Sequence, residues 1–105
     1  MFVLALVVLL SGCTQSQAPS QSQQSVVVVE IRDSAFDPET VKVNPNTTVR
    51  WVSESNRVHT VVFEDGVASG KLEKGDTFER MFSEKGVYKY YWSIHLSMKG
   101  TVIVE

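Results

Sequence analysis

The sequence predicts an all-β fold, an antiparallel sandwich or barrel of about seven to eight short strands, and three observations carry that prediction. Segments rich in β-branched and aromatic residues recur from Val26 to Val104. Turn signals separate them at Asn44-Pro45-Asn46, Glu64-Asp65-Gly66, Lys74-Gly75-Asp76 and Lys85-Gly86. No window shows a sustained helical apolar period flanked by helix caps.

The chain opens on an apolar run, Met1 to Leu10, that leads into Leu10-Ser11-Gly12-Cys13. The run is too short to span a bilayer as a helix. It has the length of a signal-peptide apolar core, and small residues before a cysteine are the pattern of a lipoprotein signal. Residues 1–13 are therefore expected to be a leader in which Cys13 takes lipid and becomes the new N-terminus. The pattern departs from the usual one in having no Lys or Arg ahead of the apolar run. Residues 14–25 contain only Gln, Ser, Thr, Pro and Ala, and such a segment buries too little surface to offset its ordering entropy. It reads as a polar tether with a mean reach of roughly 20 Å. Residues 26–105 hold every charged residue and form the expected folded domain, with a small core.

Within that domain the expected strands are Val26 to Ile31, Thr40 to Val43, Thr47 to Val52, Val58 to Phe63, Thr77 to Phe82, Val87 to Trp92 and Thr101 to Val104. Period-two alternation assigns their faces. Lys89 faces water, so Tyr88, Tyr90 and Trp92 share the buried side of their strand. His59 has the parity of Val61 and Phe63, which puts it at one end of the core. Arg80 has the parity of Phe78 and Phe82, an irregularity that predicts a bulge or an edge strand there.

Composition removes several classes of function. The net charge is -2, from 10 basic and 12 acidic residues, so no basic excess draws the chain to nucleic acid. The single cysteine excludes disulfides and all-thiolate metal sites. Ser93, His95 and Asp65 form no recognisable nucleophile, base and orienter set, and catalysis is not expected. Two histidines remain as chemistry-bearing residues, His59 and His95, the second in the segment Trp92-Ser93-Ile94-His95-Leu96-Ser97-Met98 between the last two strands. Two imidazoles and a thioether suit copper, above all Cu(I), and are poor for magnesium or calcium. Taken alone, the pair of histidines is equally compatible with incidental placement.

The domain as a whole resembles the cupredoxin family in its small plastocyanin-like and amicyanin-like form. The resemblance rests on Phe36-Asp37-Pro38-Glu39 leading to Val41-Lys42-Val43, then Val49-Arg50-Trp51-Val52, Val58-His59-Thr60-Val61, and Ser69-Gly70-Lys71-Leu72 with Gly75 and Phe78. It ends with Gly86 to Tyr91 running into the His-x-x-Met segment. It implies a Greek-key sandwich with one copper ion at one end, His59 and His95 as imidazole ligands, and Met98 as the axial thioether. Where the family pattern has its ligand cysteine, three residues before the second histidine, this chain has Trp92. A blue copper centre draws its colour and electronic coupling from the copper–thiolate bond, and Cys13 belongs to the leader.

Three readings of Trp92 follow. The site has degenerated and the fold serves as a binding or structural module; or the site is retuned for Cu(I); or Trp92 is a substitution in an electron carrier with an altered type 1 site. Magnitude favours the second. A cation within about 6 Å of an indole face, shielded from water, gains roughly 2 kcal/mol. A position shaped for Cys accepts Trp only with repacking. The donor set is also similar to the tryptophan-capped His/Met Cu(I) sites of small copper-efflux chaperones, which have a different fold. The expected function is copper carriage, buffering or delivery by a monomer outside the cytoplasm, membrane-anchored through Cys13, with a copper-donor or acceptor protein as partner. Acid should weaken binding, because a protonated imidazole has no lone pair to give.

Overall fold

The computed structural model describes residues 25–105; the leader and tether expected over residues 1–25, Cys13 included, lie outside the described residues apart from Ser25. The strands are β1 (Val26–Ile31), β2 (Phe36–Asp37), β3 (Thr40–Val43), β4 (Thr47–Ser53), β5 (Val62–Phe63), β6 (Thr77–Phe82), β7 (Gly86–Trp92) and β8 (His95–Val104). They form two four-stranded sheets, ordered β2-β1-β4-β6 and β3-β8-β7-β5. The predicted sandwich is present, and its sheets are mixed. The pairs β1–β4 and β3–β8 run parallel, while the other four pairings are antiparallel. Parallel pairing arises because the chain crosses to the opposite sheet between the two strands of each such pair, and crossovers allow what a tight hairpin forbids.

The core lies between the sheets and follows the predicted alternation. Val29 and Ile31 of β1, Val49 and Trp51 of β4 and Phe82 of β6 face Val41 and Val43 of β3, Tyr90 and Trp92 of β7 and Val102 and Val104 of β8. Trp51 packs edge-on against Tyr90 and Phe63, with ring centroids 5.3 and 5.6 Å away. The two poles of the sandwich differ. At one, Ser25 accepts the Thr48 amide at 2.9 Å, Val43 pairs with Val104, and the Asn44–Asn46 turn carries the chain between sheets. At the other, β7 ends at Trp92 and β8 begins at His95.

Two expected strands have different extents. Of the strand expected over Val58 to Phe63, only Val62 and Phe63 join a sheet. The preceding residues turn away to bond the segment that follows: His59 and Leu72 exchange both backbone hydrogen bonds, at 2.9 and 2.7 Å, and the Val61 amide donates to Ser69 Oγ at 2.9 Å. The last strand is longer than Thr101 to Val104, beginning at His95. The short β2 falls within the Phe36-Asp37-Pro38-Glu39 motif, where two strand residues are too few to show an alternation.

Strand β6 lies at a sheet edge, as the parity of Arg80 suggested, and it needs no bulge. Arg80 points inward. Its guanidinium lies 4.5, 4.9 and 5.3 Å from the ring centres of Phe63, Phe82 and Tyr88 and reaches Asp65 at 2.7 Å. A long side chain can thus occupy a core-facing position while its charge stays at the rim.

Candidate metal centre

His59 is fully buried, and its surroundings fix its tautomer. Nδ1 stands 3.1 Å from the Arg57 carbonyl oxygen. A carbonyl only accepts, so Nδ1 carries the proton and Nε2 keeps its lone pair. That Nε2 is buried and has no hydrogen-bond partner. An unpartnered buried acceptor is costly, and a cation bound at Nε2 would offset that cost.

Trp92 ends β7 on the same inward face as Tyr90 and is 4% exposed. Its indole stacks on the His59 ring, with centroids 4.0 Å apart and planes inclined by 27°. It also meets His95 edge to face at 5.3 Å. One indole therefore contacts both imidazoles. His95 is exposed and is the cross-strand partner of Trp92, which places it on β8 rather than in a free loop.

Met98 follows on the core face of β8, in alternation with Gly100, Val102 and Val104, and is 4% exposed. The register decides this. Tyr90 pairs with Gly100 and Tyr91 with Lys99, after which the ladder shifts so that Trp92 opposes His95. Leu96 to Met98 are the extra residues of that irregularity. A side chain at Gly100 would stand inside the van der Waals surface of the Tyr90 ring, so glycine there lets Tyr90 lie across β8 and lock the pairing. A cleft of about 140 Å³ lined by Phe36, Glu39, Ser97, Met98 and Lys99, among others, abuts the methionine.

Sequence reasoning missed several residues that hold the site. The Ser93 amide donates to Thr60 Oγ1 at 3.0 Å, and the two hydroxyls are hydrogen-bonded at 2.8 Å. This clamp ties the residue after Trp92 to the residue after His59. The only sequence signal for it is a hydroxyl following each site residue. The Arg57 carbonyl and the Leu72 backbone left no signal at all, since every residue carries those groups. Among the described residues no group of three or more His, Cys, Asp or Glu gathers as a metal site. The structure brings the two imidazoles together around the Trp92 indole, while Met98 lies on the core face of β8 three residues beyond His95. Neutral imidazole nitrogen and thioether sulfur suit copper and are poor for hard cations such as magnesium or calcium.

The family model for the cupredoxin-like domain matches residues 2–104. The chain belongs to the cupredoxin family. Its relatives include the amicyanin of Paracoccus denitrificans, 28% identical over 94 residues that cover 84% of this chain and 72% of that protein. The plastocyanin of Scenedesmus fuscus is 31% identical over 84 residues, covering 67% and 86% respectively. Among solved structures, a purple cupredoxin from Nitrosopumilus maritimus superposes with a TM-score of 0.71 at 29% identity, covering 75% of this chain and 99% of that one. Cupredoxins are copper-binding electron-transfer proteins as a family.

Proposed function

We propose that this cupredoxin binds a single Cu(I) ion through His59, His95 and Met98, with the indole of Trp92 in place of the family's cysteine thiolate and acting as a cation–π cap. The observation that carries the reading is the buried, unpartnered Nε2 of His59, on an imidazole stacked against Trp92. The indole that covers the His59 ring would supply a cation–π contact to an ion held there. Without a thiolate, oxidation to Cu(II) gains little, since Cu(II) favours additional hard donors. The ion would keep one oxidation state and be passed on, so the role is carriage, buffering or delivery rather than catalysis. The protein acts outside the cytoplasm, held to a membrane by lipid on Cys13, and exchanges copper with a donor or acceptor protein.

Electron transfer is a second reading, supported by the family itself. One titration separates the two. In anaerobic competition with a Cu(I) chelator, the protein should take up one equivalent and lose indole fluorescence, and Trp92→Ala and His95→Ala should lose the effect. Failure of the protein to compete would remove the Cu(I) reading. Reversible redox cycling of the loaded protein with Trp92 intact would favour the second.

A further inference from the structure

The free lone pair of His59 depends on a group outside the donor set. Nε2 can give electrons only while Nδ1 holds the proton, and Nδ1 holds it because the Arg57 carbonyl oxygen lies 3.1 Å away. The other tautomer would put a proton on Nε2 and leave it no lone pair for a metal. Whatever fixes that carbonyl therefore decides whether the ring can act as a ligand.

Arg57 belongs to an exposed stretch, Asn56 to Val58, that follows the end of β4 and returns to the core only at His59. Such a stretch has little packing of its own to hold it. The Arg57 amide donates to Ser55 Oγ at 3.0 Å, and that hydroxyl donates in turn to Asp33 Oδ1 at 2.6 Å. Ser55 is 1% exposed, so the hydroxyl that joins the two bonds is withdrawn from water. A hydrogen bond to a carboxylate is the stronger kind, and a hydroxyl polarised by an anion accepts more strongly from an amide. The Glu54 amide donates to the Ile31 carbonyl at 2.9 Å, which brings the end of β4 against the β1–β2 loop that carries Asp33. A line of hydrogen bonds thus runs from Asp33 through Ser55 and Arg57 to Nδ1 of His59.

We propose that Asp33 and Ser55 are positioning residues of the site: they hold Arg57 where its carbonyl selects the Nδ1-protonated tautomer of His59 and keeps Nε2 available as a donor. Neither touches a metal in this role. The consequence for copper rests on the Cu(I) reading, whereas the state of the imidazole rests on the hydrogen bonds alone.

The test is nitrogen NMR of the imidazole rings in the full, metal-free chain at about pH 8, above the ordinary imidazole range. The wild type should show His59 as a single species protonated at Nδ1. Ser55→Ala should turn it into a mixture with the Nε2-protonated form, and Ser55→Thr, which keeps the hydroxyl, should recover the wild-type signal. Asp33→Ala, at an exposed position, should move His59 the same way by a smaller amount, and it decides the matter should Ser55→Ala not fold. His95, outside this line of bonds, is the reference in every spectrum. Cu(I) retention against a chelator should fall by about tenfold in Ser55→Ala, the lower end of what the outer partners of a metal ligand cost when removed. A His59 that stays wholly Nδ1-protonated in both alanine variants would overturn the proposal, as would an equal disturbance at His95, the sign of a general loosening of that pole. A shift in Ser55→Ala with none in Asp33→Ala would strike Asp33 from the role. A wild type with the single tautomer that takes up no Cu(I) would remove the copper reading and leave the positioning role standing.

Discussion

The indole of Trp92 lies on the imidazole of His59 at a centroid distance of 4.0 Å, and the residues that follow each of them, Ser93 and Thr60, are joined by two hydrogen bonds. Two segments far apart in sequence are therefore zipped at consecutive positions, once by ring stacking and once by hydroxyl and amide. The stack and the clamp together seat the end of β7 against the segment that carries His59.

Restoring the family's thiolate tests whether this seat has cupredoxin geometry. Trp92→Cys loaded with Cu(II) should develop intense visible absorption from copper–thiolate charge transfer. A colourless product would mean that position 92 does not stand where a ligand must. Trp92→Ala, by contrast, removes a large buried ring and should cost about 3–5 kcal/mol in urea unfolding.

The clamp predicts a separation of stability from affinity. Thr60→Val removes the hydroxyl that accepts the Ser93 amide and should cost only about 1 kcal/mol, since both partners can turn to water. Its effect on Cu(I) retention should be larger than that, because it frees the turn carrying Trp92 and His95. Equal and small losses in both measurements would show that the clamp has no part in the site.

Gly100 and Tyr90 set the register that delivers Met98 to the core. Gly100→Ala forces its methyl group into the Tyr90 ring and should destabilise the domain by about 1–3 kcal/mol, the usual scale of overpacking. Combining it with Tyr90→Leu should recover part of the loss. Additive losses in the double variant would argue against the collision as the cause.

Tyr90 also predicts a pH dependence. Burial pushes its phenol up to about 12, with the nearby Trp51 indole opposing the rise and Glu39 adding to it. The folded state thus keeps the proton while the unfolded chain, with an ordinary value near 10, has begun to release it. Stability is full below pH of about 10 and should fall by ~2–3 kcal/mol as pH rises toward 12. Tyr90→Phe should flatten this limb of the pH–stability curve relative to the wild type. An identical limb in both proteins would assign the alkaline loss elsewhere.

At the acid end the relevant group is Asp65. Its hydrogen bond from the Arg80 guanidinium, aided by the Val67 amide, holds its carboxyl below the usual aspartate range. Its contribution is present above the ordinary aspartate value and is lost as pH falls through the lowered one. Asp65→Asn should therefore shrink the difference in stability between neutral and acidic pH, and an unchanged difference would count against the pair. Arg80→Ala should cost more than Asp65→Asn, because it also uncovers Phe63, Phe82 and Tyr88.

Much of the architecture is legible along the chain because the signal that carries it is local. Alternation of residue type with period two put Tyr88, Tyr90 and Trp92 on one face, turned His59 inward, and marked Arg80 as an anomaly before any pairing was known. The same logic extended backward from Val104 reaches Val102, Gly100 and Met98, a continuation that the turn-like residues between Trp92 and Gly100 concealed. Composition, too, narrows the chemistry: the one cysteine, Cys13, lies outside the described residues, so none of these supplies a thiolate.

Sequence by itself determined the all-β class and the inward faces of the strands, and it supplied the candidate soft donors. Only the tertiary structure decided how those donors are presented. The tautomer of His59 depends on the Arg57 carbonyl, the stack on Trp92 depends on an approach between segments 33 residues apart as the Thr60–Ser93 bonds measure it, and the depth of Met98 depends on a ladder shift after Tyr91. The physical reason is the same in each case. Which face a side chain takes follows from its own strand, whereas which group it meets follows from register and from packing between sheets, and those are settled by contacts that no local pattern encodes.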